Sequence, residues 1–366
     1  MSVAINGTNG ITYNDGSLQP SAPVGKNLII NGDMNIAQRG TNVTGITTTG
    51  YYTVDRFSQV VSSAGTWTQT QSADAPTGAG FYNSWEINCT TANASLAAGA
   101  FLIANHAIEG FNLQQLGYGA AGAKTITLSF WIKSNKTGTY ILGIYRPTSG
   151  RQISTSYSIS VANTWEKKTI TIPGDTSGTI TNANTEGFRI SWWLGAGSLF
   201  SSGTLNTSWG ANVSANRAVG QVNLADSTSN YINITGVQLE VNTTATPFEH
   251  LQYGQQLALC QRYFWKWTER HAFCAMAAYS TTAIYGAFVY PTTMRAAPTW
   301  TGSANADLII LMNSASVTAS SFAVEIITTN SARIKIVPSS SRIQGQAGWL
   351  ETVSGATKYI QADAEL

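Results

Sequence analysis

Short segments in which apolar and polar residues alternate follow one another from Lys26 to about Glu249, and no other feature constrains the fold as strongly. In segment 124–134 the residues on one face are Ile126, Leu128, Phe130 and Ile132. A repeat of two residues is typical of a strand with one buried face. Further segments of this kind cover 139–145, 156–161, 165–172, 187–194 and 230–241. Many short strands without helices between them predict an antiparallel jelly-roll sandwich.

A second, smaller β-rich domain is predicted from residue 269 to residue 366. Its predicted strands cover 272–279, 283–291, 306–312, 321–328 and 332–338. No repeat of solenoid period is visible, so a long parallel β-helix is not expected. The predicted fold is therefore all-β, with the jelly roll over 26–249 followed by this C-terminal domain.

Residues 250–268 are predicted to form a joint between the two β domains. The pattern favours one short helix with Leu257, Cys260 and Phe264 on one side, followed by a strand rich in aromatic residues. We expect all three side chains to be buried, with Cys260 a small hydrophobic thiol of the core.

Residues 1–25 are polar and rich in glycine, and they form a separate N-terminal arm. Asn9-Gly10 and Asp15-Gly16 suit tight turns between short extended pieces. The arm has too little apolar surface for a core of its own, so it is expected to attach to other copies of the chain or to another protein.

Charge excludes several classes of function. Only 10% of the residues are charged and the net charge is +2, without any run of Lys or Arg, which argues against nucleic-acid binding. The N-terminus does not resemble a signal peptide, and no apolar stretch approaches the roughly 20 residues of a membrane span. We expect synthesis in the cytoplasm and no membrane insertion.

The sequence also gives little support for catalysis. Cys260 and Cys274 are too far apart for a Cys-x-x-Cys metal site. The glycine-rich segment 195–203 contains no lysine and so does not match a phosphate loop. Acidic residues are scattered, with no pattern that marks a glycosidase pair. We expect that the chain is not an enzyme and has no cofactor.

Aromatic residues are more informative, because the chain has 11 Trp, 15 Tyr and 12 Phe. In segment 187–194 Trp192 shares a face with apolar residues, which predicts that it is buried, whereas Trp193 shares the other face with Arg189. An outward aromatic ring suits a sugar or a subunit interface. We predict a ligand-binding surface made of Trp193 and Arg189, with Trp209 in the following loop as a second wall.

Several longer stretches resemble a family of bacteriophage tail-fibre or virion appendage proteins between about Gly25 and Thr301. They are "GKNLIINGDMNIAQRG", "YTVDRF", "LSFWIKS", "ITGVQLEVNTTATPFEHLQYGQQLALCQRYFWKW" and "YPTTMRAAPTW". The resemblance implies a homotrimer located on a virion, in which the arm contacts other virion proteins.

The first β domain also resembles carbohydrate-binding jelly-roll modules, in which an early "NLIINGDM" strand and loop precedes a final "GVQLE" strand. Many such modules hold a structural calcium ion near these two elements. The resemblance therefore implies Asp33 and Glu240 as calcium ligands.

These features together predict a non-enzymatic virion protein, a tail fibre or receptor-binding appendage that adheres to a host-surface glycan. One alternative is a purely structural head-decoration or collar fibre without a ligand. A second alternative is a glycan depolymerase.

The arm generates a prediction about assembly. Because residues 1–25 cannot bury a core alone, we expect a homotrimer whose assembly involves them. Analytical ultracentrifugation should show a trimer for the full chain and loss of the trimer when residues 1–25 are deleted. A stable monomer of the full chain at micromolar concentration would contradict this prediction.

Overall fold

The computed structural model describes residues 25–268, 272–313, 315–353 and 358–366, and the backbone of three short strands before Gly25. It divides into two compact units, Met1–Gln252 and Tyr253–Leu366. Both units are built from antiparallel strands, so the predicted all-β fold is confirmed. No helix among the described residues is long and apolar enough to cross a membrane.

The first unit contains fifteen described strands. They are β1 (Ala4–Asn6), β2 (Gly10–Thr12), β3 (Leu18–Gln19), β4 (Asn42–Ile46), β5 (Phe57–Ser62), β6 (Thr66–Ser72), β7 (Ser84–Thr91), β8 (Phe101–Glu109), β9 (Ile126–Ser134), β10 (Gly138–Arg146), β11 (Arg151–Ile159), β12 (Glu166–Ile172), β13 (Glu186–Ala196), β14 (Gly210–Ala211) and β15 (Tyr231–Glu240). The helices are α1 (Ser198–Ser201) and the 3₁₀ helices Gly110–Leu116, Ser214–Asn216 and Leu224–Asp226.

The strands of the arm, β1, β2 and β3, form a small antiparallel sheet. Ile5 pairs with Ile11, and Ile11 pairs with Gln19 on its other side. The predicted turns at Asn9 and at Asp15-Gly16 include residues outside those that the structure describes. Attachment and trimer formation by the arm therefore stay predictions.

Two six-stranded sheets make up the jelly roll. The front sheet has the order β14-β11-β10-β13-β8-β5, and the back sheet has the order β12-β9-β15-β7-β6-β4. The core between them contains large aromatic rings: Phe57 lies 5.7 Å from Trp85, and Phe130 lies 5.7 Å from Trp192. The predicted inward face of β9 is fully buried, as the alternation indicated.

The segment before β4 closes the jelly roll by pairing with β15. The Leu28 amide donates to the Leu239 carbonyl at 2.8 Å, and the Val237 amide donates to the Gly32 carbonyl at 2.8 Å. A Cβ atom on Gly32 would lie 2.0 Å from the Val237 oxygen, so only glycine allows this approach. The "NLIINGDM" and "GVQLE" stretches are thus partners in the structure.

Glu249 connects the first and last segments of the jelly roll through hydrogen bonds. Its carboxylate accepts hydrogen bonds from the backbone amides of Gly25 and Asn27, and its own amide donates to Gln238 Oε1 at 2.8 Å. The preceding Phe248 packs its ring 5.0 Å from that of Phe81. The "PFE" part of the resemblance therefore has a structural role within the first unit.

The second unit begins with a helix, α2 (Tyr253–Gln261), and has nine strands among its described residues. They are β16 (Phe264–Thr268), β17 (Ala272–Ala278), β18 (Ile284–Val289), β19 (Thr299–Gly302), β20 (Leu308–Met312), β21 (Ala315–Glu325), β22 (Ser331–Pro338), β23 (Ala347–Thr352) and β24 (Tyr359–Asp363), with a 3₁₀ helix at Asn305–Asp307. Strands β17-β18-β22-β21-β20-β23 close into a barrel, and β16-β24-β19 form a separate sheet.

The predicted joint residues all fall in the second unit, and two of the three are buried as predicted. Cys260, a thiol that forms no disulfide, and Phe264 are completely buried. Leu257 is only half-buried, so its predicted burial is wrong. The inward side of α2 carries Gln256 and Cys260, which are one turn apart, and Leu257 lies about 100° around the helix from Gln256. A role for these residues as a joint stays a prediction.

Burial of Phe264 predicts a large effect of truncation. Phe264→Ala should lower the free energy of unfolding of the second unit by about 3–5 kcal/mol, because it removes a buried ring and leaves a cavity. Leu259→Ala, at a side chain on α2 that is 39% exposed, is the control and should cost less than about 1 kcal/mol. Equal losses in urea unfolding would contradict the assigned burial.

Candidate functional site

Trp193 is not an exposed platform, and that prediction is wrong. Its side chain points away from the sandwich core, as the alternation predicted, but it is only 1% exposed. The reason is that residues 197–223, the covering segment, fold back over this part of the front sheet. Phe200 of the covering segment places its ring 5.6 Å from that of Trp193. Trp192, the neighbour of Trp193 on β13, is buried in the core, as predicted.

Hydrogen bonds hold the covering segment on the front sheet. The Ser154 amide on β11 donates to the Asn206 carbonyl at 2.7 Å, and the Ser154 hydroxyl donates to the Arg217 carbonyl at 3.0 Å. Further along, the Val222 amide donates to the Thr139 carbonyl on β10 at 3.0 Å. These bonds fix the backbone of Arg217 above the outer face of the sheet.

Trp209 does not form a second wall beside Trp193, so this prediction is also wrong. Its ring lies 5.9 Å from Tyr118 and 6.4 Å from Phe188, which belong to the sandwich core. Its Nε1 donates to the Pro173 carbonyl at 2.7 Å. Trp209 therefore packs against the core and is separated from Trp193 by the front sheet.

A row of small residues crosses the outer face of the front sheet next to Trp193. Strand register places Ser191 between Asn105 and Gly143 and extends the row to Ser58 and Ser154. Paired residues of adjacent strands point to the same face, so these five positions share the outer face with Trp193.

Mostly larger residues border this row on both sides, and we call the three rows together the trough, with the middle row as its floor. The bordering residues are Val60, Ile103, Trp193 and Ile141 on one side and Ala107, Arg189, Tyr145 and Gln152 on the other. Each border lies two residues along the strands, or about 7 Å, from the floor. The structure thus brings Trp193 and Arg189 together at one trough, but on opposite walls.

Two polar groups at the trough lack partners. Asn105 is 5% exposed, and its Oδ1 is buried without a hydrogen bond within the described chain. Nε2 of Gln152, in the row that contains Arg189 and Tyr145, is also buried without a hydrogen bond within the described chain. Buried polar atoms without partners are costly.

Two arginines carry positive charge at the trough. The Arg217 guanidinium lies 5.0 Å from the Trp193 ring, and that of Arg189 lies 6.0 Å from the Tyr145 ring. Arg189 also bonds Glu186 at 2.5 Å. Burial lowers the pKa of Arg217, and the nearby charge of Arg189 lowers it further. Asn105, Tyr145 and Arg217 were not predicted as site residues.

A second surface with exposed aromatics lies on the barrel of the second unit. Tyr279 is 72% exposed and lies 5.7 Å from Tyr285, and the Arg333 guanidinium lies 5.2 Å from the Tyr285 ring. Tyr285 and Arg333 border two recesses of about 680 and about 390 Å³. Arg333 is paired with Glu325 at 2.6 Å, so this surface presents aromatic rings beside a charge that is already paired.

Asp33 and Glu240 have separate partners. Asp33 accepts from Asn35 Nδ2 at 2.6 Å, and burial raises the pKa of its carboxyl group. Both oxygens of Glu240 accept hydrogen bonds, from Gln238 and Thr246. Among the described residues no three His, Cys, Asp or Glu side chains come together to hold a metal ion. Asp33 Oδ1 is buried without a hydrogen bond within the described residues, and the calcium ligands stay a prediction.

Comparison with known proteins does not identify a family. No protein-family model matches the chain, and no curated protein does. Among solved structures, the chain is similar to the enzymatically active domain of tailspike protein 4 of bacteriophage CBA120, with 15% identity and a TM-score of 0.33. That match covers 59% of this chain and 22% of the tailspike chain, so the chain spans less than a quarter of it.

Two carbohydrate-binding structures are similar at a comparable level. The N-terminal CBM22 tandem domain of a Paenibacillus barcinonensis protein has 8% identity and a TM-score of 0.30, covering 95% of this chain and 100% of that one. A family 11 carbohydrate-binding module from Clostridium thermocellum, in complex with a mixed-linked tetrasaccharide, has 12% identity and a TM-score of 0.27, covering 63% and 100%.

Burial of Trp193 changes the expected effect of its removal. Trp193→Ala should destabilise the first unit by about 3–5 kcal/mol, as Trp192→Ala should, because both remove a buried ring. Only Trp193→Ala should also expose residues 197–223 to limited proteolysis. An unchanged unfolding midpoint for Trp193→Ala, with no new cleavage in that segment, would contradict the described packing.

Proposed function

We propose that the chain is a non-catalytic virion appendage protein that adheres to a host-surface glycan through the trough of the front sheet. The observation that carries this proposal is the outer face of the front sheet, where the half-buried Tyr145 lies near Arg189 and Arg217.

The chemistry of the trough suits a saccharide. Sugar hydroxyls donate and accept hydrogen bonds, so they could accept from the guanidinium N–H groups of Arg217, which is only partly buried. Tyr145 is half-buried and offers an aromatic face on which the apolar side of a sugar could stack.

The virion role is supported by the resemblance of residues 25–301 to phage tail-fibre or appendage proteins. The trimer, the contact of the arm with other virion proteins and the location on the virion belong to this proposal. Its alternatives are a structural head-decoration or collar fibre without a ligand and a glycan depolymerase.

A glycan array tests the adhesion function. The full chain should bind at least one host-surface polysaccharide, and Tyr145→Ala should weaken that binding about tenfold, or ~1.4 kcal/mol. Tyr82→Ala is the control, because this tyrosine is 75% exposed and lies outside the trough. Tyr285→Ala reports on the barrel surface and should leave binding intact.

Three outcomes would contradict the proposal. Loss of binding in Tyr285→Ala but not in Tyr145→Ala would assign the ligand to the barrel. Absence of binding to any polysaccharide would favour the structural fibre. Release of new reducing ends from a bound polysaccharide would favour the depolymerase.

A further inference from the structure

Arg217 differs from the arginines around it because nothing neutralises its charge. Its guanidinium has no ion pair and no hydrogen bond within the described residues; its contacts are the rings of Trp193 and Phe200, at 5.0 and 6.0 Å. Other arginines of the first unit that form salt bridges with carboxylates are Arg39, Arg146, Arg151 and Arg189.

The position of Arg217 is fixed by the fold. Its carbonyl accepts from the Ser154 hydroxyl, and its amide donates to the Ser214 carbonyl at 3.2 Å. The flat guanidinium lies over Trp193 at one wall of the trough. An arginine held in this way keeps its N–H groups aligned for a ligand and loses little freedom on binding.

The charge of Arg217 is costly where it lies. The side chain is partly buried, and the like charge of Arg189 acts on it. Contact with two aromatic rings offsets part of this cost. The Glu186 carboxylate does not neutralise Arg217, because it pairs with Arg189. An anion placed in the trough would interact favourably with both arginines.

We infer that the saccharide bound in the trough is acidic and that its carboxylate pairs with Arg217. This inference rests on the proposed glycan binding and specifies its substrate class: a polysaccharide that contains uronic or other carboxylated sugars. The two oxygens of a carboxylate match the fork of a guanidinium.

The test uses purified bacterial surface polysaccharides, each printed on an array in its native form and after chemical reduction of its carboxyl groups to alcohols. The full chain should bind one or more native acidic polysaccharides. Carboxyl reduction should weaken that binding by about tenfold to about a hundredfold, the range for a hydrogen bond to a charged group. Added salt should weaken binding to the native form more than to the reduced form.

Variants assign the effect to Arg217. Arg217→Gln should abolish the difference between native and reduced polysaccharide, and Arg217→Lys, which keeps the charge but not the fork, should retain part of it. Lys168→Gln removes a positive charge from β12 on the back sheet and should retain the full difference. Circular dichroism and unfolding midpoints establish that each variant is folded.

The possible failures are distinguishable. Binding that survives carboxyl reduction at unchanged affinity overturns the acidic-ligand inference and leaves the proposed glycan binding in place. A full difference in folded Arg217→Gln overturns the role of Arg217. Absence of binding to every polysaccharide, in either form, overturns both this inference and the proposed function.

Discussion

Burial of Trp193 beneath residues 197–223 is the interaction on which the candidate site depends. The ring forms part of a small apolar cluster on the outer face of the front sheet, with Ile103, Ile141 and Ala218. Because the covering segment packs on this cluster, it places Arg217 at the edge of the trough. The adjacent row of small residues forms the floor, and the next row supplies Tyr145 and Arg189. The covering segment thus buries one part of the front sheet and leaves Tyr145 and Arg189 partly exposed beside it.

Much of the fold could be predicted from the sequence, because strand alternation is a local property. Trp192 and Trp193 are adjacent on one strand, so their side chains are predicted to point to opposite faces of the sheet. In the structure they do. The burial of Trp193 could not be predicted from the strand pattern, because it depends on a contact with Phe200 in an irregular segment. Tyr145 meets Arg189 only through the register of β10 and β13. Arg217 lies in a polar loop, and the loop sequence does not indicate that this arginine packs on the ring of Trp193.

The second unit shows the same limit. Its longer apolar strands were predicted, but β19, β23 and β24 were not, because they are short or polar. In β24 only Ile360 and Ala362 are fully buried, and the strand is defined by its pairing with β16 and β19. Such strands exist because neighbouring backbones need hydrogen-bond partners, which local hydrophobicity does not report.

The central claim is that a saccharide occupies the trough of the front sheet. The most direct measurement is a crystal structure of the chain with an oligosaccharide derived from a polysaccharide that it binds. We expect a sugar ring in contact with Tyr145, and Arg217 in contact with the ligand. A ligand bound at Tyr285 of the barrel, with the trough unoccupied, would contradict the claim.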